Sequence, residues 1–457
     1  MAKKQIRVVA TGFTALLSLG LAMQTANAQQ RTFTPSYESA PTPIKRHNPN
    51  DTDASWLNDA NVTKTASKYL NKALRPDGLR VEALHLQATR AELRFRNNRY
   101  NVTPQAFGRA ARAMANILPS SVSTFTLTPV VDGLPVSSVT FNRRDLEAYE
   151  NHPNGTKLSF KNAVISDPIL KSADLQYDES LYPKFTWSLG PYIELNHDDL
   201  TGSNQYSVRA RANAEWHISP GFSLSGSVTK ELFGNISTNT PSTSPLQHVR
   251  SDRGLYIEQG DPAIEKLKLD YLFKATPSIY GRVSAGYLER AFGGVSGEIL
   301  WKPANQSWGL GAEVNHVQQR DFGNVFSFQD YDVTSGHLSA YKEFKGGLST
   351  QVDVGRYLSG DYGTTISIDK RFTNGWSAGV FATKSNANVQ EDTKTGFRVT
   401  VPLNWIRKTP SRANYDIAFG SSGADAGSRL RIDNRLYGKV REYHGTELED
   451  SWARFWR

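Results

Sequence analysis

No cysteine occurs anywhere in the 457 residues. A disulfide framework, a thiolate metal site, a thiol nucleophile and a lipid-accepting cysteine are thereby excluded. Long apolar runs are missing too. After the first 28 residues no stretch approaches the ~20 apolar residues of a membrane-spanning helix, and a mean hydropathy of -0.49 fits that shortage. Catalytic signatures are equally scarce: there is no His-x-x-x-His metal pair, no Gly-x-Ser-x-Gly elbow and no glycine-rich phosphate cradle. The net charge is +9, but the basic residues are dispersed, without the dense cluster that nucleic-acid binding requires. A mildly basic surface suits acidic polymers or lipopolysaccharide phosphates, and equally plain solvation.

What is present begins with Lys3, Lys4 and Arg7, an apolar run from Val8 to Met23, and the small-residue ending Ala26-Asn27-Ala28. This predicts a cleavable secretory signal over residues 1–28. Residues 29–54, with Pro35, Pro41, Pro43 and Pro49, read as an extended linker. Residues 55–152 mix periods. Ser55 is placed to cap a helix running towards Leu74, and Pro76-Asp77-Gly78 ends it. Strands follow over Leu79 to Leu86 and Ala91 to Tyr100. A second helix starts at Thr103 and Pro104, with Phe107, Ala110, Ala111, Met114 and Leu118 as its apolar stripe. Strands Val122 to Val131 and Val136 to Phe141 flank the turn signal Asp132-Gly133. A small α/β domain is expected here, on the periplasmic side of the membrane.

After a polar connector over 153–180, period two dominates residues 181–440. In Trp308 to His316, the side chains of Trp308, Leu310, Ala312 and Val314 fall on one face. Gly309, Gly311, Glu313 and Asn315 fall on the other. Val283, Ala285 and Tyr287 alternate likewise with Arg282, Ser284 and Gly286, as do Val295, Ile299 and Trp301 with Ser296 and Glu298. A soluble sandwich also alternates. A face of glycine, serine and short polar residues opposite an apolar, ring-rich face fits a wet lumen and a lipid-facing wall. The expected fold is therefore mainly β: an antiparallel transmembrane β-barrel of about a dozen strands, preceded by the α/β domain. The register puts Glu298, Glu313, Asn315, Gln351, Asp353 and Asp369 in the lumen. Residues 441–457 break the period. Trp452, Phe455 and Trp456 recur at helical spacing, which predicts an amphipathic turn against the barrel or the membrane interface.

No site compels a reaction. Asp330 and Asp332 share a strand face and could form a lumenal glycosidase pair, although polar lumen lining accounts for them as well. Glu289 and Arg290 beside Phe292-Gly293-Gly294 read as a charged strand end before a hairpin, and His316 and His337 lack a third metal ligand at diagnostic spacing. The expectation is a non-enzymatic protein without cofactor or metal.

Several segments, in order, resemble the YjbH family of exopolysaccharide and group 4 capsule-associated outer-membrane proteins. They are Gly286-Tyr-Leu-Glu-Arg-Ala-Phe-Gly-Gly-Val-Ser-Gly-Glu-Ile-Leu300, Gln318-Gln-Arg-Asp-Phe322, Asp330 to His337, Gly360-Asp-Tyr-Gly363, Asn374-Gly-Trp376, Val401-Pro-Leu403, Arg435-Leu-Tyr437 and the Trp452 to Arg457 ending. The resemblance implies an outer-membrane barrel with a periplasmic α/β portion, taking part with periplasmic partner proteins in production or export of an extracellular polysaccharide. Longer members carry a further β-rich half upstream and a lipoprotein cysteine. The chain resembles their C-terminal half, so a second subunit or second copy is expected to complete a pore. The alternatives are a polysaccharide-modifying enzyme and a structural anchor that docks periplasmic partners.

Overall fold

The computed structural model describes residues 42–170, 175–198, 203–236, 241–323, 325–387, 393–402, 412, 414–420 and 425–457. The expected signal segment and the start of the linker lie outside the described residues. A mixed sheet comes first. Its strands are β1 (Leu79–Leu86), β2 (Arg90–Asn97), β3 (Thr124–Val131), β4 (Leu134–Pro135), β5 (Ser138–Asn142), β6 (Val164–Ser166) and β7 (Gln176–Tyr177), ordered β6-β5-β3-β2-β1-β7 with β4 paired to β3. Helices α1 (Val62–Leu74) and α2 (Thr103–Ile117) supply its core with Leu70, Leu74, Phe107, Ala111 and Met114, all buried. The helix expected from Ser55 is interrupted: a 3-10 turn covers Ser55–Asn58, and the Asp59 carboxylate accepts the Asn61 amide before α1 begins. Two short helices, α3 (Arg143–Tyr149) and α4 (Gly155–Asn162), follow. The expected connector is therefore partly structured, since α4, β6 and β7 complete the α/β unit; elements this short leave no period to read. Asp132 and Gly133 both adopt positive φ, 48° and 85°, which makes the tight turn between β3 and β4.

Thirteen antiparallel strands then follow in unbroken sequence order. They are β8 (Lys184–Asp198), β9 (Ser203–Ser219), β10 (Phe222–Gly234), β11 (Ala263–Thr276), β12 (Ile279–Tyr287), β13 (Phe292–Trp301) and β14 (Trp308–Arg320). After them come β15 (Phe328–Phe344), β16 (Leu348–Arg356), β17 (Tyr362–Arg371), β18 (Ser377–Ser385), β19 (Thr393–Pro402) and β20 (Asn414–Gly420). The sheet curls until side chains of β8 and β20 line one cavity, although among the described residues no ladder joins those two strands.

Its two faces are sorted opposite to a soluble protein. Outward stand Val283, Val295, Ile299, Val314, Leu338, Val354, Ile366 and Val380, with Ile299 58% and Leu338 68% exposed. Inward stand Arg282 at 1%, Glu313 at 3%, and Ser296, Asn315, His337 and Asp353, all buried. At roughly 25 cal/mol per Å², eight half-bare aliphatic side chains held in water forgo on the order of 10 kcal/mol, comparable to a whole domain's stability.

One end of the barrel abuts the α/β unit. Short turns lie there: Ala304, after β13, donates its amide to Asp167, and Pro220-Gly221, after β9, packs against Gly133. Longer connections lie at the other, far end. The 235–262 connection holds helix α5 (Arg253–Glu258), and its Val249 and Tyr256 pack with Val317, Val333 and Leu358 at the far mouth.

Residues 425–440, expected within the strand region, form no strand. They descend through the lumen from the far end and finish as helix α6 (Leu436–Val440). Helix α7 (Gly445–Ser451) and a 3-10 turn at Trp452–Arg454 then enter the α/β unit. The expected docking of this tail against the barrel or a membrane interface is corrected. Leu448, Trp452 and Phe455 are buried in the α/β core against Phe141, Phe160 and Phe107. Helical spacing reveals an apolar face, but not which surface covers it.

Candidate functional site

The lumen is a polar chamber divided by the chain's own C-terminal segment. At the far mouth, Asp425 accepts the amides of Val249, Arg250 and Ser251 at 2.9, 2.7 and 3.0 Å. The Gly427 amide donates to Asp361 at 2.7 Å. Midway, Arg435 lies along Glu313 with two contacts, Nε to Oε2 at 2.8 Å and Nη2 to Oε1 at 3.0 Å. The Leu436 amide, first in α6, reaches both Glu298 oxygens at 3.1 and 3.2 Å. Asp433 accepts from Lys266 and Lys268 on β11 at 2.5 and 2.7 Å. Below these, the Tyr437 and Tyr341 rings stack 3.9 Å apart, and the Tyr437 hydroxyl donates to Glu343 at 3.1 Å.

The six residues expected in the lumen all project inward, and they separate into two groups. Glu298, Glu313 and Asn315 lie on β13 and β14 beneath the C-terminal segment. Arg282 Nε donates to Glu298 at 3.0 Å, and the Asn315 amide donates to Glu313 at 3.3 Å. Gln351, Asp353 and Asp369, on β16 and β17, line open space. The Gln351 amide donates to both oxygens of Asp353, Arg429 contacts Asp353 at 2.9 Å, and Arg398 Nε donates to Asp369 at 2.7 Å. Of the cationic partners, Arg282 already falls on the polar face by period two, whereas Arg398, Arg429 and Arg435 escape a search for strand periods. For the C-terminal pair, the available signal is the run of Arg429, Arg431, Arg435 and Arg441 in a stretch without period.

Asp330 and Asp332 do share a face, but it is the outward one. The proposed lumenal carboxylate pair is therefore corrected: with Phe328 outside and Val333 inside, the register puts both on the far-end rim. Glu289 and Arg290 are occupied structurally: Glu289 accepts from Arg250 at 2.8 Å, and Arg290 spans Glu194 and Glu265 at 2.9 and 2.5 Å. His316 faces outward against the Thr334 hydroxyl, and His337 packs on Tyr357. Among the described residues, no three His, Asp or Glu side chains come together as a metal site.

Two cavities flank the C-terminal segment. The larger, about 1340 Å³, runs along the inner wall of β16 to β20, from Asp132 and Lys184 at the α/β end to Lys394 and Ser428 at the far end. The smaller, about 490 Å³, lies against β8 to β11.

At the α/β end the segment is fixed by charge and by burial. Burial pushes the Glu442 carboxyl up, but the charges of Arg412 and Arg371 and their hydrogen bonds outweigh it and hold the group at about 2. His444 is fully buried, and burial, with Lys302 and Lys274 nearby, holds it well below its ordinary value. As the neutral imidazole it bonds the Val136 carbonyl at 3.1 Å. The Lys439 charge lowers Asp132, and the two meet at 2.5 Å.

Comparison with known proteins bears on this arrangement. Residues 10–442 match the YjbH family, described as "Exopolysaccharide biosynthesis protein YbjH". The uncharacterized lipoprotein YjbH of Escherichia coli K12 is 28% identical over 419 residues, covering 88% of this chain. The chain spans 58% of that relative's length. Among solved structures, OmpF of Salmonella typhi, determined with daunomycin, is 10% identical over 58% of this chain and 94% of its own, with a TM-score of 0.30. OmpT of Vibrio cholerae is 12% identical over 55% and 92%, with a TM-score of 0.24.

Proposed function

The chain belongs to the YjbH family of exopolysaccharide biosynthesis proteins, and on that premise we propose that it is a non-enzymatic outer-membrane barrel that guides a polysaccharide outward. One observation carries the reading: the barrel wall is apolar outside and polar inside, the sorting that lipid and a hydrated passage impose. Hydroxyl, amide and carboxylate groups on the inner wall offer exchangeable hydrogen bonds to sugar hydroxyls, and Phe381 offers a ring. The partners in this reading are the polysaccharide, outer-membrane lipid and lipopolysaccharide, and periplasmic proteins of the exopolysaccharide system docking on the α/β unit. A second barrel half or a second copy of this chain would meet the edges of β8 and β20.

A second reading is favoured by the C-terminal segment in the lumen: a plugged anchor that holds the α/β unit at the membrane for assembly. Planar-bilayer conductance of the purified protein separates the two. Steps of current support a conduit, and silence supports the anchor. Heat-modifiable gel migration of the membrane fraction tests the barrel itself. Recovery of the protein from periplasmic fluid without detergent would sink both.

A further inference from the structure

We infer that the larger lumenal cavity is built for an acidic polysaccharide, one bearing carboxylate or comparable anionic substituents, rather than a neutral one. The inference deepens the conduit reading and rests on it. Among the described residues, twelve of those lining that cavity are Lys or Arg, against five Asp or Glu. Four further carboxylates bond these cations from outside the lining: Glu82 to Arg96, Glu289 to Arg250, Glu313 to Arg435 and Glu447 to Arg441. With those four included, cations still exceed anions by three among the described residues.

The distribution of this charge matters more than its sum. Basic groups occur along the cavity's whole length: Lys184 and Arg371 at the α/β end, Arg398 on the wall of β19, Arg429 and Arg431 on the segment opposite, Lys394 near the far mouth. The neighbouring carboxylates are held against the walls: Asp353 by Gln351 and Arg429, Asp369 by Arg398, Glu442 by Arg371 and Arg412. A passage with low-dielectric walls focuses such a field and raises the local concentration of anions. A neutral glycan needs only hydroxyl partners, which the Ser349, Thr365, Ser367, Thr383 and Thr400 side chains already supply. The cations add nothing for it. For a polyanion they supply counter-charge along the cavity's length.

The test is equilibrium binding by the full-length protein in detergent. The two probes are an oligogalacturonate and a malto-oligosaccharide of equal length. The expected result is at least about tenfold tighter binding of the oligogalacturonate, a preference that weakens between 0.05 and 0.5 M salt as the Debye length falls. The triple variant Lys184→Gln, Lys394→Gln, Arg431→Gln, accepted only if it keeps heat-modifiable migration, should lose most of that preference while malto-oligosaccharide binding is unchanged. Equal or tighter binding of the neutral probe overturns the charge inference and leaves the conduit standing. Binding of neither probe overturns both.

Discussion

Arg435 and Glu313 are 122 residues apart in sequence and meet side-on in the middle of the barrel, each carboxylate oxygen taking one guanidinium N–H. Arg282 and Arg429 approach the same carboxylate at 3.5 and 3.6 Å. Glu313 is thus one of the points at which the C-terminal segment is fastened to the wall, beside Asp433 and the Leu436 amide.

Replacing it should release that fastening. Glu313→Gln leaves three guanidinium groups facing an uncharged amide, a loss of roughly 3–5 kcal/mol for a buried pair broken from one side. In planar bilayers the variant should pass more current than the wild type, because the segment loses its mid-lumen ion pair and moves more between its remaining contacts at Asp433 and Asp353. A variant with unchanged conductance and unchanged resistance to unfolding would show that the pair fastens nothing.

Trp452→Ala or Phe455→Ala should unlatch the other end of the same segment. Both side chains are buried in the α/β core and stacked 4.8 Å apart. Removing either ring should cost about 3–5 kcal/mol. Gly108→Ala should act similarly from the opposite side, since its Cβ would lie 1.7 Å from the Phe455 carbonyl oxygen. Trypsin should then release C-terminal peptides under conditions that leave the wild type intact.

Asp330→Asn with Asp332→Asn should change little. Both carboxylates stand exposed on the outer rim, where substitutions shift stability by no more than about 0.5 kcal/mol. Polymer output of cells carrying the double variant should match wild type. Its abolition would revive an enzymatic role for the pair.

Acid should weaken the anchorage in two stages. The His444 imidazole is held below its ordinary value of 6.5, so its contribution is present above pH 6.5 and is lost as the pH falls below it. The Glu442 carboxyl is lowered from 4.5 to about 2, so its contribution is present above pH 4.5 and is lost as the pH falls from there towards 2. Unfolding midpoints at pH 8, 5.5 and 3.5 should fall in that order. His444→Gln should flatten the first step and Glu442→Gln the second.

The strand faces were legible because each is enforced by solvent at every second residue. Val314 and Asn315 cannot exchange sides without placing an amide on the apolar outer wall and an isopropyl group among the polar groups inside. The lumenal carboxylates were legible for the same reason. Their occupancy was not. Nothing local in Asp433, Arg435 or Tyr437 reveals that they return through the barrel, since their partners Lys268, Glu313 and Tyr341 are fixed only by tertiary closure. The tail failed for a related reason: Trp452 and Phe455 advertise an apolar stripe, but a stripe fits an α/β core as well as it fits a bilayer surface.

The hydrophobic interior of the α/β unit is assembled from residues near position 100 and residues near position 450, with the thirteen strands strung between them. Such an interior cannot be finished while the strands are still arriving. The segment that finishes it also lies inside the curl of the sheet, so its path and the sheet's curvature are set together. Wall and thread are therefore one piece of architecture: seating Trp452 and Phe455 joins the strands' far end in sequence to the core in which the chain's first helices sit.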